Sequence, residues 1–338
     1  MNSTIKPVSV IILNWNGEKL LREFLPSVVR HTPTDIATVI VADNGSTDGS
    51  IALIENEFPS VELLRFDRNY GFAEGYNRAL AQCQSPYTVL LNSDVAVTDD
   101  WLTPLYRYMQ EHPDVAASQP KILSYRNPEY FEYAGAAGGY IDRNGYPYCR
   151  GRIFSTLEKD EHQYDSPASI FWATGAALMV RTDIYNRLGG LDPDFFAHME
   201  EIDLCWRIHL AGYHISAVPQ SKVYHLGGGS LDASNPKKTY LNFRNNLLML
   251  HKNLPDSTRR TTLLRRRLLD TIAWAKFMAT FDFRNAAAIW HAHRDFAKMR
   301  SKYTSHPEID LLHTAPKRPN ILIKYYLSRN NKFSQLPN

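Results

Sequence analysis

Along the first hundred residues, short apolar runs alternate with longer stretches of helical spacing. The runs at 8–13 (VSVIIL), 36–42 (IATVIVA), 61–66 (VELLRF) and 87–91 (YTVLL) have the length and β-branched content of strands. Helical patterns fall near 17–30, 46–57, 73–82 and 99–110. This order predicts an α/β fold: a mostly parallel sheet with helices on both faces. Further along, GGYIDRNGYPYCR (138–150) predicts a hairpin turning at Asn144-Gly145. The segment ASIFWATGAALMVR predicts one strand over about 168–180, followed by a helix from Thr182. FFAHMEEIDLCWRIHLAGY predicts a helix of roughly three turns ending at Gly212. Two strands, 214–218 and 222–226, come next, and Gly227-Gly228-Gly229 reads as a mobile loop. From about Asn235 the pattern is helical and basic, which divides the chain into an α/β domain over 1–234 and a helical region over 235–338.

Ligands of open α/β sheets bind outside the carboxyl ends of the strands. The conspicuous polar residues sit there: Asn14 and Asn16 after the first run, Asp43 after the second, Arg68 and Asn69 after the third, Asn92 and Asp94 after the fourth. In TVLLNSDVAV (88–97) an apolar run stops at Asn92-Ser93-Asp94 and then resumes. An unpaired carboxylate at the end of a buried strand is costly, so Asp94 needs a partner. A metal ion is one candidate and a hydrogen bond to a neighbouring turn is the ordinary alternative. Asp43, likewise at a strand end, is placed to accept hydrogen bonds from a nucleotide, whereas Ser46 or Asp48 can simply cap the next helix. Gly71 and Gly75 bracket a helix start, where backbone turns sharply or approaches a ligand. Neither a GxGxxG fingerprint nor a Walker lysine pattern occurs, which disfavours a dinucleotide or P-loop site.

Three acids, Glu200, Glu201 and Asp203, open the helix after residue 199. Acids in a first turn complement the helix dipole, and Asp203 has Arg207 four residues on. Glu201 differs, because Leu204, Cys205 and Ile208 follow it on one apolar face that points inward. A carboxylate held there is a candidate general base. His225 ends a predicted strand and, with Asp94, can form a mixed carboxylate–imidazole site suited to Mn²⁺ or Mg²⁺.

Charge sharpens the division of the chain. Of the 38 Lys/Arg and 35 Asp/Glu, residues 237–338 hold 20 and 6, leaving an acidic body and a basic tail. Three cysteines without CxxC spacing argue against a disulfide framework or zinc site and for a reducing compartment. MNSTIKP has no apolar core of a signal peptide, and LLDTIAWAKFMATF carries Asp270 and Lys276 and is too short to span a bilayer. The expectation is a soluble or peripheral cytoplasmic protein.

Taken together, VSVIILNWNG, VIVADNGSTDGS, RNYGFAEGYNRA, LLNSDV, WATGAALMVRTDIYNRLGGLDPDFF, EEIDLCWR and VYHLGGGS resemble the family 2 glycosyltransferases of the GT-A fold. The closest likeness is to the bacterial rhamnosyltransferase-like and galactofuranosyltransferase-like branch. These pieces span residues 8 to about 230 in the family's order. The resemblance implies a GT-A catalytic domain that performs an inverting, metal-dependent sugar transfer from a nucleotide-diphosphate donor to an acceptor hydroxyl. It implies nucleotide contacts at Leu13, Asn14, Asp43, Arg68, Asn69, Asn92 and Ser93, and metal ligation by Asp94 and His225. Glu201 takes the place of the catalytic base, and Trp172, Thr174 and Gly175 lie on the strand that faces the acceptor. Arg244 in YLNFRNN is a candidate diphosphate contact, or else a helix-surface arginine. Two positions depart from the family pattern: Asn92 stands for the first Asp of DxD, and Glu201 for the usual Asp. The resemblance further implies a dTDP- or UDP-sugar donor such as dTDP-rhamnose, and a glycan or polyprenyl-linked acceptor in bacterial surface polysaccharide synthesis.

In the tail, Leu263, Leu264, Leu268 and Ile272 stand among Arg259, Arg260, Arg265, Arg266 and Arg267. A basic amphipathic helix of this kind reads as a contact for an anionic membrane surface, here the cytoplasmic face of the inner membrane. The rival expectation is a helix packed on the catalytic domain, or an oligomer contact in a homodimer. Nucleic acid is not an expected partner, since no recognised module is present. Two other functions compete. A sugar-nucleotide pyrophosphorylase would want a basic, Gly-rich phosphate loop after the first strand, which NWNGEKL lacks. A non-catalytic nucleotide-sugar-binding subunit of a polysaccharide assembly complex would not need Glu201.

Overall fold

A computed structural model describes residues 5–227, 235–314, 318–328 and 330–336, so Gly228 and Gly229 of the triglycine run lie outside the described residues. Strands β1 (Val8–Asn14), β2 (Ala37–Asp43), β3 (Glu62–Arg65) and β4 (Tyr87–Asn92) alternate with helices α1 (Glu18–His31), α2 (Ser50–Glu57) and α3 (Phe72–Leu80). All four strands are parallel, in the order β3-β2-β1-β4. Because side chains alternate along a strand, Val8, Val10 and Ile12 enter one core layer and Ile11 the other. Leu21, Leu25 and Val28 of α1 cover the first layer, while Ala73, Tyr76, Ala79 and Leu80 of α3 cover the second. Burial on both faces explains why these strands read as near-continuous apolar runs.

Beyond β4 the chain forms β5 (Val95–Val97), α4 (Leu102–Glu111) and β6 (Val115–Ser124). A small antiparallel sheet follows, made of β7 (Gly139–Ile141), β8 (Pro147–Cys149), β9 (Arg152–Ile153) and β10 (Thr156–Leu157). Next come β11 (Ala168–Ser169), β12 (Ala177–Arg181), α5 (Thr182–Arg187), α6 (Glu200–Leu210) and β13 (His214–His225). The main sheet runs β11-β13-β6-β12-β4-β1-β2-β3, with β12 antiparallel to both neighbours and β5 paired to β13. Three helices complete the chain: α7 (Pro236–Asn253), α8 (Asp256–Ala279) and α9 (Phe283–Met299). Leu247, Leu248, Met249 and Leu250 of α7 join the same core cluster as Ile11 and Trp206, so the basic region is built onto the sheet. Among the described residues, no helix is long and apolar enough to cross a membrane.

Three expectations change. The strand expected at about 168–180 is two short strands separated by an irregular stretch. There the Trp172 indole lies against the Gly139 backbone and donates to the Tyr140 carbonyl at 2.8 Å. The two strands expected at 214–218 and 222–226 are the single strand β13, with a bulge between Val218 and Lys222. Strand β6 was hidden by its polar centre. Gln119 accepts from the Thr174 amide at 3.1 Å, and the fully buried Lys121 pairs with Asp160 at 2.8 Å and with Asp165. Buried polar groups satisfied in this way do not disturb a strand.

Candidate active site

Parallel pairing sets Asn14 and Asp43 side by side at the carboxyl ends of β1 and β2. Asn14 Nδ2 donates to Asp43 Oδ1 at 3.0 Å and to Ser46 Oγ at 3.2 Å, while Ser46 N donates to Asp43 Oδ2 at 2.9 Å. The buried Asp43 carboxylate therefore shapes the loop that follows it. Asn14 Oδ1 is buried with no partner among the described residues. Asn16 ties the same two loops together, donating its amide to Ser46 Oγ at 2.9 Å and accepting from Thr47 N at 2.7 Å. Trp15 stands exposed between them.

The next strand end is joined through Asn44, whose role was not anticipated. Its side chain donates to Asn69 Oδ1 at 3.1 Å and to the Gly71 carbonyl at 3.0 Å, and accepts from Tyr70 N at 2.9 Å. Gly71 takes φ +81°, and a Cβ on Gly75 would come within 2.9 Å of the Leu13 side chain. The two glycines thus serve a sharp turn and close packing on Leu13. Arg68 and Asn69 remain exposed on this edge.

After β4, the turn at Asn92-Ser93-Asp94 leads directly into β5. Pairing of β5 with β13 sets Val95 opposite His225 and brings Asp94 Oδ1 to 3.1 Å from His225 Nε2, both residues being buried. The other ring nitrogen, Nδ1, lies 3.2 Å from Glu132 Oε2. Burial alone would lower the His225 pKa, but hydrogen bonds to Asp94 and Glu132 outweigh it and push it up to about 10. Among the described residues, no group of three or more His, Cys, Asp or Glu side chains is arranged to hold a metal ion. A metal ion would have to displace the Nε2 proton of His225; the Asp94 carboxylate and the freed imidazole nitrogen would then face it together, with the Glu132 carboxylate behind the ring to orient it. A hard divalent cation bound by few protein ligands completes its shell with substrate phosphates and water. Glu132 lies in an irregular segment with no sequence pattern to mark it.

Glu200 and Glu201 open α6. Leu204, Cys205 and Ile208 are fully buried, as the apolar face required. Burial pushes the Glu201 carboxyl up to about 7, and burial plus the Glu201 charge holds Glu200 well above the usual range. The Oε2 atoms of both are buried without partners among the described residues. Asp203 is different: despite full burial, Arg207 at 2.9 Å and Lys252 at 2.9 Å hold its carboxyl below the usual range. Its second oxygen accepts from Asn253 at 2.7 Å, so Asp203 fastens α6 to α7. The two sides of the site meet at residues 174–176. Asn92 N donates to the Ala176 carbonyl at 3.0 Å, and a Cβ built on Gly175 would stand 3.9 Å from Glu201 Cβ. Gly175 is buried, as are Trp172 and Thr174, and a Cβ there would stand 3.3 Å from the Phe72 ring as well as beside Glu201.

Arg244 is not a helix-surface arginine. It is buried, donating through Nη2 to the carbonyls of Asp194 at 2.9 Å and Phe195 at 3.0 Å and through Nε to Asn245 Oδ1 at 2.8 Å. Asn245 Nδ2 in turn reaches the carbonyls of Phe195, Ala197 and His198 at 2.9, 2.9 and 2.7 Å. The clamped loop carries three left-handed non-glycine residues, Phe196, His198 and Met199, immediately before Glu200. Such strain persists only where surroundings over-determine it. Asn245→Ala is expected to lower kcat roughly 10- to 100-fold by misplacing Glu201, with nucleotide affinity unchanged, as steady-state kinetics beside calorimetry would show.

With this geometry established, comparison with known proteins is informative. The model of glycosyl transferase family 2 matches residues 9–189. The chain belongs to this family. It is 27% identical over 234 residues to the N-acetylglucosaminyl-diphospho-decaprenol L-rhamnosyltransferase of Mycobacterium tuberculosis, covering 64% of this chain and 75% of that protein. It is 26% identical to the O-antigen biosynthesis protein RfbC of Myxococcus xanthus, covering 64% of this chain but 17% of that protein. Among solved structures it superposes on GalNAc-T7 bound to UDP, GalNAc and Mn²⁺ with TM-score 0.58 and 18% identity, covering 75% of this chain and 49% of that one. The mannosyltransferase PcManGT of Pyrobaculum calidifontis, with GDP-Man and Mn²⁺, gives TM-score 0.52 and 15% identity over 88% of this chain and 85% of that one. The fold is GT-A, and the chain is a family 2 glycosyltransferase.

Proposed function

We propose that this glycosyltransferase moves a sugar, with inversion, from a dTDP- or UDP-sugar to a hydroxyl of a glycan or polyprenyl-diphosphate-linked acceptor. The leading donor is dTDP-rhamnose, by likeness to the mycobacterial relative, and the setting is bacterial surface polysaccharide synthesis at the cytoplasmic face of the inner membrane. The observation that carries the reading is the arrangement of the Asp94–His225 pair and Glu201 on either side of residues 174–176. The loops after β1, β2 and β3, with Leu13, Asn14, Arg68 and Asn69, form the nucleoside edge, and Asn92 and Ser93 adjoin the phosphates.

In this mechanism Glu201 takes the proton of the acceptor hydroxyl as its oxygen bonds to the anomeric carbon. The bond from that carbon to the diphosphate breaks on the opposite face, and the nucleoside diphosphate leaves. A Mn²⁺ or Mg²⁺ ion held by Asp94 and His225 would supply positive charge beside the departing phosphates. Glu132 keeps the His225 ring turned toward Asp94.

Calorimetry with UDP, dTDP, GDP and CMP, with and without Mn²⁺, tests the donor site. Metal-dependent selection of UDP or dTDP supports it, and failure of the folded protein to bind any of the four refutes it.

The Glu201 pKa carries its own prediction. A base acts only when ionised, so single-turnover rates are expected to rise about tenfold per pH unit below pH 7 and to level off above it. Burial dominates this titration, backbone hydrogen bonds at Glu201, Ile202 and Met199 oppose it, and the neighbouring carboxyl is Glu200. A flat profile from pH 5.5 to 8 (about the range over which a group of this kind titrates) would remove Glu201 from the base role.

A further inference from the structure

One face of the helical region has no use in glycosyl transfer. Helix α8 packs through Thr262, Arg266 and Asp270, all buried, with Arg266 paired to Asp270 at 2.8 Å and stacked over the Tyr146 ring. The helix is thus packed on the catalytic domain through one face, as the rival expectation has it, and leaves the other face exposed. On the open face Leu264, Leu268 and Ile272 form an i, i+4, i+8 stripe, 62%, 62% and 66% exposed. Exposed Arg265 and Lys276 flank the stripe on one side, Arg260 and Arg267 on the other. Among the described residues of α8 the only acids are Asp270, buried on the packed face, and Asp256, in the first turn and paired with Arg259.

The end of this helix gives a second, independent observation. The α8–α9 turn is a Schellman motif, with Asp282 N donating to Phe277 O at 2.9 Å and Phe281 N to Met278 O at 3.2 Å. The position after the cap takes φ +59° and is ordinarily glycine, yet here it is Phe281, 79% exposed. Phe283 follows, 54% exposed, its ring 6.1 Å from that of Phe281. A solvent-facing phenylalanine pair at a hairpin tip, one of the two strained, at the end of a helix that carries an exposed apolar stripe between two rows of cations, fits a bilayer interface.

We propose that the open face of α8 and the Phe281–Phe283 tip dock this protein on an anionic lipid surface, with the tip inserted among the acyl chains. A second copy of the chain fits less well. Two-fold self-docking of the stripe would set arginine rows against arginine rows with no acid between them. The proposal deepens the peripheral location given above and is independent of the donor site.

The test is co-sedimentation of the full chain with vesicles of phosphatidylcholine alone or mixed with phosphatidylglycerol, at low and high salt. Two variants accompany it, Phe281→Gly and the triple Leu264→Ser, Leu268→Ser, Ile272→Ser. Wild type is expected to bind only the anionic vesicles and to be released by salt. Each variant is expected to lose roughly tenfold or more in partitioning. Phe281→Gly relieves the left-handed strain, so its melting temperature is expected to hold or rise, which separates lost binding from lost folding. Absence of wild-type binding, or binding unchanged in both variants, overturns the proposal. So does a dimer, seen by light scattering, that the triple variant dissolves. Nucleotide calorimetry on the same samples keeps a failure here distinct from a failure of the donor site.

Discussion

Glu201→Gln is expected to lower the rate of sugar transfer by about 10²- to 10⁴-fold while nucleotide and metal affinities stay within error of wild type. The substitution is nearly isosteric, and Glu201 Oε2 has no hydrogen-bond partner to lose among the described residues. The variant should therefore fold, and a linked effect on stability checks this. Folding raises the Glu201 carboxyl from its ordinary 4.5 to about 7. A group of this sign stabilises the native state below its unfolded pKa, and that contribution is lost as pH rises through the folded value. At pH 8 the wild type (about one unit above the folded value) holds a buried charge that glutamine removes. Glu201→Gln should then melt higher than wild type at that pH while turning over far more slowly. Loss of stability together with loss of rate would make Glu201 a structural residue.

Asp94→Ala has the next largest expected effect. Asp94 contributes the one carboxylate that faces His225 Nε2, and without it the imidazole retains only Glu132. The metal-dependent part of nucleotide affinity is expected to fall at least ~100-fold, since even outer partners of metal ligands are worth 10- to 100-fold. Metal-free binding through the β1–β3 edge should persist. Calorimetry with and without Mn²⁺ separates the two, and equal losses in both conditions would mean that Asp94 only supports the β4–β5 turn.

Much of this site could be read from the chain because parallel strands deliver their last residues to one edge. Asn14, Asp43, Asn92 and Asp94 are strand-terminal by pattern, and pairing brings Asn14 beside Asp43 with no further information. Glu201 could be read because helical periodicity assigns it a face. What escaped depends on side-chain reach rather than periodicity. Glu132 lies 93 positions from His225 in an irregular segment, and only the folded chain brings the two within 3.2 Å. Arg244 and Asn245 were visible as polar residues in a helix, but their targets are backbone carbonyls of the 194–198 loop, which carry no sequence signature. Trp172 has a residue type suited to ligand contact, yet its indole N–H is spent on the Tyr140 carbonyl. Strand β6 was missed because Gln119, Pro120 and Lys121 look like a loop until the partners of Gln119 and Lys121 are known.

The most direct test is to incubate the purified chain with dTDP-rhamnose and a panel of UDP-sugars, a short-chain N-acetylglucosaminyl-diphospholipid acceptor and Mn²⁺, and to follow nucleoside diphosphate release with the anomeric signal of the product. Release with one donor that requires both acceptor and metal, with inverted configuration at the transferred carbon, is the expected result. Tight nucleotide binding without transfer from any donor would contradict it and identify a binding subunit instead.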